Sequence, residues 1–357
     1  MSRVLVTGGA GFIGRHVTGH LRAAGYDVTV MLAPGESPAA CERLGVPWVV
    51  GDVRDLPSLD RAVAGMEFVG HMAALYTLWM RDWQPLYDVN VQGTTNVLRA
   101  CEDAGVRRVI YTSSIAALGI PEGLAPADED TEFNQHGRCP PYILSKYYAE
   151  RRVRAAQRAG APVVTVYPAM PWGPGDHRPT PTGVLLLRAL GGAYFAAAPG
   201  SFNAVDVRDV ARGHLLALEK AEDGSRYLLS GHYLPVRRFI ELAHELGGVR
   251  RPLLSVPPSV MALLGRIGDQ VGRFTEPLVD SKVVMYTSQH LTYDCSRAEQ
   301  ELGYSRRPIE ETLADAIAWF REHGYPEPGL RLWDIRTRGR MQAAARRELT
   351  GPTGQGD

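Results

Sequence analysis

The chain has no excess of either charge: 39 Lys and Arg stand against 39 Asp and Glu in 357 residues. A balanced surface sets up no field to gather nucleic acid or an anionic membrane, so neither is expected as a partner. Cysteine is scarce, and Cys41, Cys101, Cys139 and Cys295 lie far apart with no Cys-x-x-Cys pair. That spacing excludes a disulfide framework and a zinc ribbon, predicts no metal site, and fits the reducing cytoplasm. No apolar run reaches the roughly 20 residues that cross a bilayer, so no membrane span is expected. The opening MSRVLVTGG enters a strand at once and leaves no room for a signal peptide. Internal repeats are absent too. What remains is an ordinary globular composition, 45% apolar and 22% charged, able to bury a sizeable core.

Six short, β-branched runs mark the first 170 residues: RVLVT (3–7), DVTVML (27–32), PWVVGD (47–52), EFVGHMAA (67–74), RRVIYTSS (107–114) and PVVTVYPA (162–169). They are almost continuously apolar, as strands covered on both faces should be. Helical stretches separate them, notably WQPLYDVNVQGTTNVLRACEDAG and YILSKYYAERRVRAAQRAG, each closed by a glycine. The alternation predicts an α/β fold, a Rossmann-type doubly wound parallel sheet over 1–170 with 203–232 returning to it. The rhythm breaks after 170. Residues 171–202 and 233–330 are expected to form a smaller, irregular substrate domain, and 331–357 a basic C-terminal helix and tail. Within the smaller domain SVMALLGRIGDQVGRF (259–274) is amphipathic, a packing helix or a lid.

Two patterns carry chemistry. VTGGAGFIGRHV sets Gly8, Gly11 and Gly14 between the first strand and the first helix. Glycines there let the backbone turn tightly and approach a pyrophosphate, which the helix N-terminus stabilises. In PPYILSKYYAE, Tyr142 and Lys146 share a helical face. A free phenol has a pKa near 10, too high for proton exchange at neutral pH; lowering it by about 3 units takes about 4 kcal/mol. A neighbouring ammonium supplies part of that by favouring phenolate. Ser114, at the end of the fifth strand, sits where a doubly wound sheet presents its ligand edge and can orient a substrate oxygen; Ser113 is the adjacent alternative, and only one of the two can face inward.

The GxxGxxG spacing, TSS at 112–114 and YxxxK at 142–146 together resemble the extended short-chain dehydrogenase/reductase superfamily, the NAD-dependent epimerase/dehydratase family. HMAALYTLW, NVQGTTNVLRAC, YTSSIAALG, GPGDHRPTPTG and VDVRDVARGHLLALE bring the likeness close to hopanoid-associated sugar epimerase and dihydroflavonol reductase-like members. The resemblance covers about residues 1–325. It implies an enzyme in which Tyr142 transfers a proton, Lys146 tunes it and holds the nicotinamide ribose, and Ser114 positions the oxygen. It further implies a dinucleotide held by Gly8, Gly11, Phe12, Ile13, Gly14, Arg15, Asp52 (on the adenine), Val53, Ala73, Ala74, Tyr142, Lys146, Pro168 and Ala169. A homodimer through helices near 85–104 and 141–158 is implied as well.

Departures from the family pattern narrow the chemistry. The position expected to carry an acid for a ribose hydroxyl is Leu32, and its neighbour, where relatives carry an arginine, is Ala33. Arg15 is left to reach a 2′-phosphate and Glu36 a hydroxyl, so the cofactor is NADP or NAD, with NADP preferred. SSIAAL has Ile115 and Ala116 where dehydratases carry an Asp–Glu pair, which argues against the standard dehydration. Phe202 and Met170 stand where sugar-nucleotide epimerases place an arginine and an asparagine, leaving only Arg178 or Arg208 to meet a diphosphate. Leu75, Tyr76, Trp79, Met170, Trp172 and Phe202 instead read as an apolar, aromatic substrate wall. The resulting expectation is an NAD(P)-dependent oxidoreductase acting on a secondary alcohol or ketone of an apolar or ring-containing small molecule. The alternatives are a sugar or sugar-nucleotide epimerase with tightly bound NAD, and a regulatory protein that binds the cofactor without catalysis.

Overall fold

A computed structural model describes residues 1–325 apart from 78, 124, 195, 198, 275–279 and 290. The basic helix and tail expected over 331–357 lie outside the described residues. Strand β1 (Arg3–Thr7) turns into α1 (Phe12–Ala23), followed by β2 (Asp27–Leu32), α2 (Ala39–Leu44), β3 (Trp48–Val50), α3 (Leu56–Val63) and β4 (Phe68–His71). Helix α4 (Gln84–Tyr87) passes through a π-helical turn, Asp88–Gly93, into α5 (Thr94–Asp103); β5 (Arg108–Thr112), α6 (Pro141–Arg158) and β6 (Val163–Pro168) come next. Then follow β7 (Met170–Trp172), α7 (Pro181–Leu190), β8 (Ala196–Ala197), β9 (Ser201–Asp206), α8 (Val207–Lys220) and β10 (Arg226–Leu229). The later elements are β11 (His232–Pro235), α9 (Val236–Gly247), β12 (Leu254–Ser255), α10 (Pro258–Val271), α11 (Ser281–Thr287) and α12 (Ile309–Glu322).

Seven strands form one parallel sheet in the order β10-β6-β5-β4-β1-β2-β3. The fold is the Rossmann-type α/β arrangement. Its strand order reverses between β1 and β4, and the carboxyl ends of strands at such a reversal form a ligand crevice. The apolar strand runs are apolar for a visible reason: one face packs Leu5, Val69, Val109 and Tyr111 against Val97 and Cys101 of α5 and Ala149 and Val153 of α6. The turn Asp88–Gly93 departs from the plain helix expected there. Its Asn90 side chain is committed elsewhere, accepting from Leu75 N–H at 2.8 Å and donating to Leu75 O at 3.0 Å.

The described residues divide into two compact units: one of residues 1–171, 203–233 and 291–306, and one drawn from 172–202, 234–290 and 307–325. The expected boundaries need one correction, because residues 291–306 belong to the first unit. Tyr293 forms a strand bridge with Ala127, Arg297 pairs with Asp130 at 2.6 Å, and the Tyr304 hydroxyl donates to Ser230 O at 3.1 Å. In the second unit α10 packs on α11 through Gly265, where a β-carbon would stand 3.0 Å from Ser281 Cα. Helix α10 buries only Gly265 and Gly268, while Val260, Leu263, Leu264 and Ile267 are exposed.

Candidate active site

The turn after β1 is shaped by two glycines. Gly8 takes φ +70°, and a β-carbon there would stand 2.7 Å from Ala73 N, just beyond β4. At Gly14 a β-carbon would stand 2.0 Å from Gly8 O. Gly11 N–H donates to Gly8 O at 3.0 Å, so the loop folds back on itself before α1 begins at Phe12 and Ile13. The cradle is one that side chains would fill, so the residues present fit a dinucleotide whose pyrophosphate lies against bare backbone at a helix N-terminus. Arg15 follows in the first turn of α1. At the end of β2, Glu36 accepts from Ala33 N–H at 3.1 Å.

Asp52 stands after β3 with its carboxylate gripped by Arg54, whose Nη2 lies at 2.6 Å and whose backbone N–H lies at 2.9 Å. Hydrogen bonding from Arg54 holds this carboxyl below its usual range against the effect of burial. The Val53 side chain is core rather than lining: a β-carbon on Gly93 would stand 2.6 Å from it. Ala74 is exposed beside Ala73. Pro168 and Ala169 end β6, where Ala169 N–H donates to Leu229 O at 3.1 Å.

Helix α6 carries the proton-handling candidates. The Lys146 side chain is buried; its Nζ donates to Thr112 O at 2.9 Å and lies 5.3 Å from the centre of the Tyr111 ring. Burial pulls this lysine down to about 8, with Glu150 one turn on pulling it up. The Tyr142 ring keeps some solvent exposure, yet the protein around its hydroxyl pushes the phenol up to about 12, while a hydrogen bond with Ser114 pulls it down. The lowering expected from Lys146 is therefore not a property of the protein alone: the ammonium is turned to a backbone carbonyl, and desolvation prevails. Ser114 caps the short turn Ile115–Ala117, its Oγ accepting from Ala116 N–H at 3.1 Å. Ser113 is buried, its N–H donating to Val166 O at 2.8 Å.

Of the six wall candidates, Tyr76 packs on Tyr142 with ring centres 4.7 Å apart, and Leu75 is held by Asn90. Trp79 and Met170 are half-buried. Trp172 and Phe202 are not pocket residues. They pack with Phe239 at ring separations of 5.3–5.4 Å, and Trp172 spends its indole N–H on Thr182 O at 3.0 Å. They form the core of the second unit. Arg208, a candidate for a diphosphate, has its guanidinium bound to Asp206 at 2.7 and 2.9 Å.

A polar chain inside the first unit went unseen in the sequence. Ala73 N–H donates to Thr7 Oγ1 (3.4 Å), and Thr7 Oγ1 meets His71 Nδ1 (2.8 Å). His71 Nε2 meets Thr94 Oγ1 (3.0 Å), which itself donates to Asn90 O (2.7 Å). Thr94 can only accept from the ring, so His71 carries its proton on Nε2 and accepts from Thr7 on Nδ1. Asn90 Nδ2 then donates to Ser145 Oγ (2.9 Å), and Ser145 donates to Tyr142 O (2.7 Å). The chain ties the β1 end, the π-turn and the Tyr142 turn together. The four-residue step from Asn90 to Thr94 is its one trace in the sequence.

Residues 4–230 match the NAD dependent epimerase/dehydratase family. The chain belongs to that family. Within this epimerase/dehydratase family it is 36% identical over 328 residues to a Synechocystis sp. protein provisionally named dihydroflavonol 4-reductase, covering 90% of this chain and 95% of that one. It is 34% identical to sterol demethylase protein B of Methylococcus capsulatus, over 90% and 98% of the two chains. The crystal structure of gox2253 superposes with a TM-score of 0.83 at 34% identity, covering 91% of this chain and all of that one. The protein is an NAD(P)-dependent oxidoreductase enzyme of the extended short-chain dehydrogenase/reductase type. Among the described residues no cluster of His, Cys, Asp and Glu is arranged to hold a metal, and no helix is long and apolar enough to cross a membrane.

Proposed function

We propose that the enzyme reduces a ketone, or oxidises the matching secondary alcohol, on an apolar or ring-containing small molecule. The carrying observation is the meeting of Tyr142, Ser114 and Tyr76 one turn from buried Lys146. The bound nicotinamide supplies the hydride donor or acceptor. Gly8, Gly11, Phe12, Ile13 and Gly14 hold the pyrophosphate, Ala73 and Ala74 line the dinucleotide, and Lys146 holds the ribose. Asp52 is the residue toward the adenine, and Pro168 and Ala169 border the nicotinamide. Ser114 donates to the carbonyl oxygen. Tyr142, protonated at neutral pH because its phenol is pushed up to about 12, gives its proton to that oxygen as the carbon is reduced. The Tyr76 ring, with Trp79 and Met170, walls an apolar substrate.

NADP over NAD rests on Arg15, with Glu36 as the residue that would reverse it. A reductase-named relative and a sterol-acting one support a carbon-ring substrate over a sugar nucleotide, as does the engagement of Arg208 with Asp206. Four free, buried cysteines are consistent with a cytoplasmic setting. A homodimer would use the faces of residues 85–104 and of α6, where a groove of about 630 Å³ is lined by Tyr87, Val91, Tyr148, Arg151 and Arg152.

Replacing Tyr142 with Phe is expected to lower turnover about 10²- to 10⁴-fold, the span that general acid catalysis typically contributes, while dinucleotide affinity stays within about twofold. Turnover within about tenfold of wild type would overturn the assignment. Stoichiometric NAD⁺ retained through purification would point to the epimerase reading, whose internal redox cycle must keep its cofactor.

A further inference from the structure

Helix α6 presents Tyr142, Lys146, Glu150 and Arg154 at four-residue steps, which stacks them along one face. Lys146 is 4% exposed, and its two close neighbours, Thr112 O and the Tyr111 ring, carry no formal charge. Glu150 is 2% exposed. Its Oε1 accepts from the Tyr167 hydroxyl at 2.5 Å and from Arg154 Nε at 3.1 Å, while its Oε2, equally buried, has no hydrogen-bond partner. The Tyr167 contact alone would be served by an amide; a carboxylate puts a formal negative charge on this buried face, and Arg154 meets it at Oε1 only.

We propose that Glu150 is a positioning residue that keeps Lys146 in its charged form, supplying through the buried face of α6 the negative charge that the lysine's own neighbours lack. This rests on the reading of Tyr142 and Lys146 as the proton-handling pair. The electrostatics agree in direction: burial pulls the lysine down, and Glu150 is the group that pulls it up. The other titratable or charged groups around the pair are His71 from β4, Tyr111 from β5, Tyr167 from β6, Cys101 from α5, Arg226 from β10, and Tyr142 and Arg154 on α6 itself. His71 is pulled down to about 3, Cys101 pushed up to about 12, and the three phenols raised as well, all by burial first. Arginines remain protonated throughout. Between pH 7 and 10 Lys146 is therefore the group of this cluster that titrates.

The sequence makes this measurable without a substrate, because its only lysines are Lys146, Lys220 and Lys282. NMR of full-length protein labelled with ¹³C at lysine Cε should show three signals, with Lys146 identified by its loss in Lys146→Met. Samples are compared at matched nucleotide content. In Glu150→Gln the Lys146 midpoint should fall by about one pH unit or more, the size expected when a nearby opposite charge is removed from a buried site. Unchanged Lys220 and Lys282 signals show that the fold is kept. Arg154→Met, which removes the cation competing for the same carboxylate, should move the midpoint upward and serves if Glu150→Gln does not fold. A midpoint that stays put in whichever variant folds would overturn the proposal, leaving Glu150 an anchor for Tyr167. The catalytic reading is tested apart from this: turnover surviving Tyr142→Phe would sink that reading with no bearing on the titration.

Discussion

Two buried histidines should make the first unit sensitive to mild acid. His71 uses its Nδ1 lone pair on Thr7 and its Nε2–H on Thr94. His214 donates Nδ1–H to Val210 O at 2.8 Å and accepts from the Thr112 hydroxyl on Nε2 at 2.8 Å. A second proton on either ring would meet a hydroxyl already donating to it, far from water. Burial accordingly pulls His71 down to about 3 and His214 to about 4. The unfolded chain, with histidines near 6.5, takes up protons first as pH falls, so the stability present above pH 6.5 drains away toward pH 4 and, for His71, toward 3. Each histidine costs about 1.4 kcal/mol per pH unit in that window, the pair about 2.7. From pH 6.5 to 4.5 the loss is about 5 kcal/mol, comparable with the whole stability of many domains. Glu129, whose carboxyl is raised by burial, works in the opposite sense. Urea unfolding followed by far-UV circular dichroism at half-unit pH steps would measure the slope, and His71→Gln should roughly halve it whatever it does to stability at pH 7.5. A wild-type slope below about 1 kcal/mol per unit, or an unchanged slope in His71→Gln, would refute the reasoning.

Two further outcomes follow from packing. Gly14→Ala must fit a methyl group 2.0 Å from Gly8 O, so thermal unfolding should reveal a loss of about 1–3 kcal/mol together with weaker dinucleotide binding; unchanged values in both would mean the turn adjusts freely. Trp172→Ala should cost about 3–5 kcal/mol as a core truncation, whereas Tyr76→Ala should change stability by less than about 1 kcal/mol and instead raise the substrate KM; the reverse pattern would return Trp172 to the pocket.

The sheet was legible because its strands are short, β-branched and apolar throughout, and the glycine turn because the Gly8 and Gly14 positions admit no side chain. The Tyr142–Lys146 pair stood out through its spacing in context. Trp172 and Phe202 were misread as pocket because an aromatic beside a motif looks the same whether it lines a site or fills a core; only Phe239, distant in sequence, decides it. The π-turn at Asp88–Gly93 was invisible because the partners of its Asn90, Leu75 and Ser145, lie 15 and 55 residues away, and the role of Glu150 because its partner Tyr167 lies on a strand. The raised phenol of Tyr142 has the same origin: four-residue spacing says two groups share a face, but not where the ammonium points.

The return of residues 291–306 to the first unit has a consequence for the order of synthesis. The parallel sheet is complete in sequence by Leu229, yet the strand bridge to Ala127 and the second cation for Asp130, beside Arg226, are supplied by Tyr293 and Arg297. On the ribosome, the nucleotide-binding half must therefore wait with Ala127 unbridged and Asp130 held by Arg226 alone until residues 234–290 have been made. A fragment stopped after Leu229 would hold every strand of its sheet and still lack its last fastening.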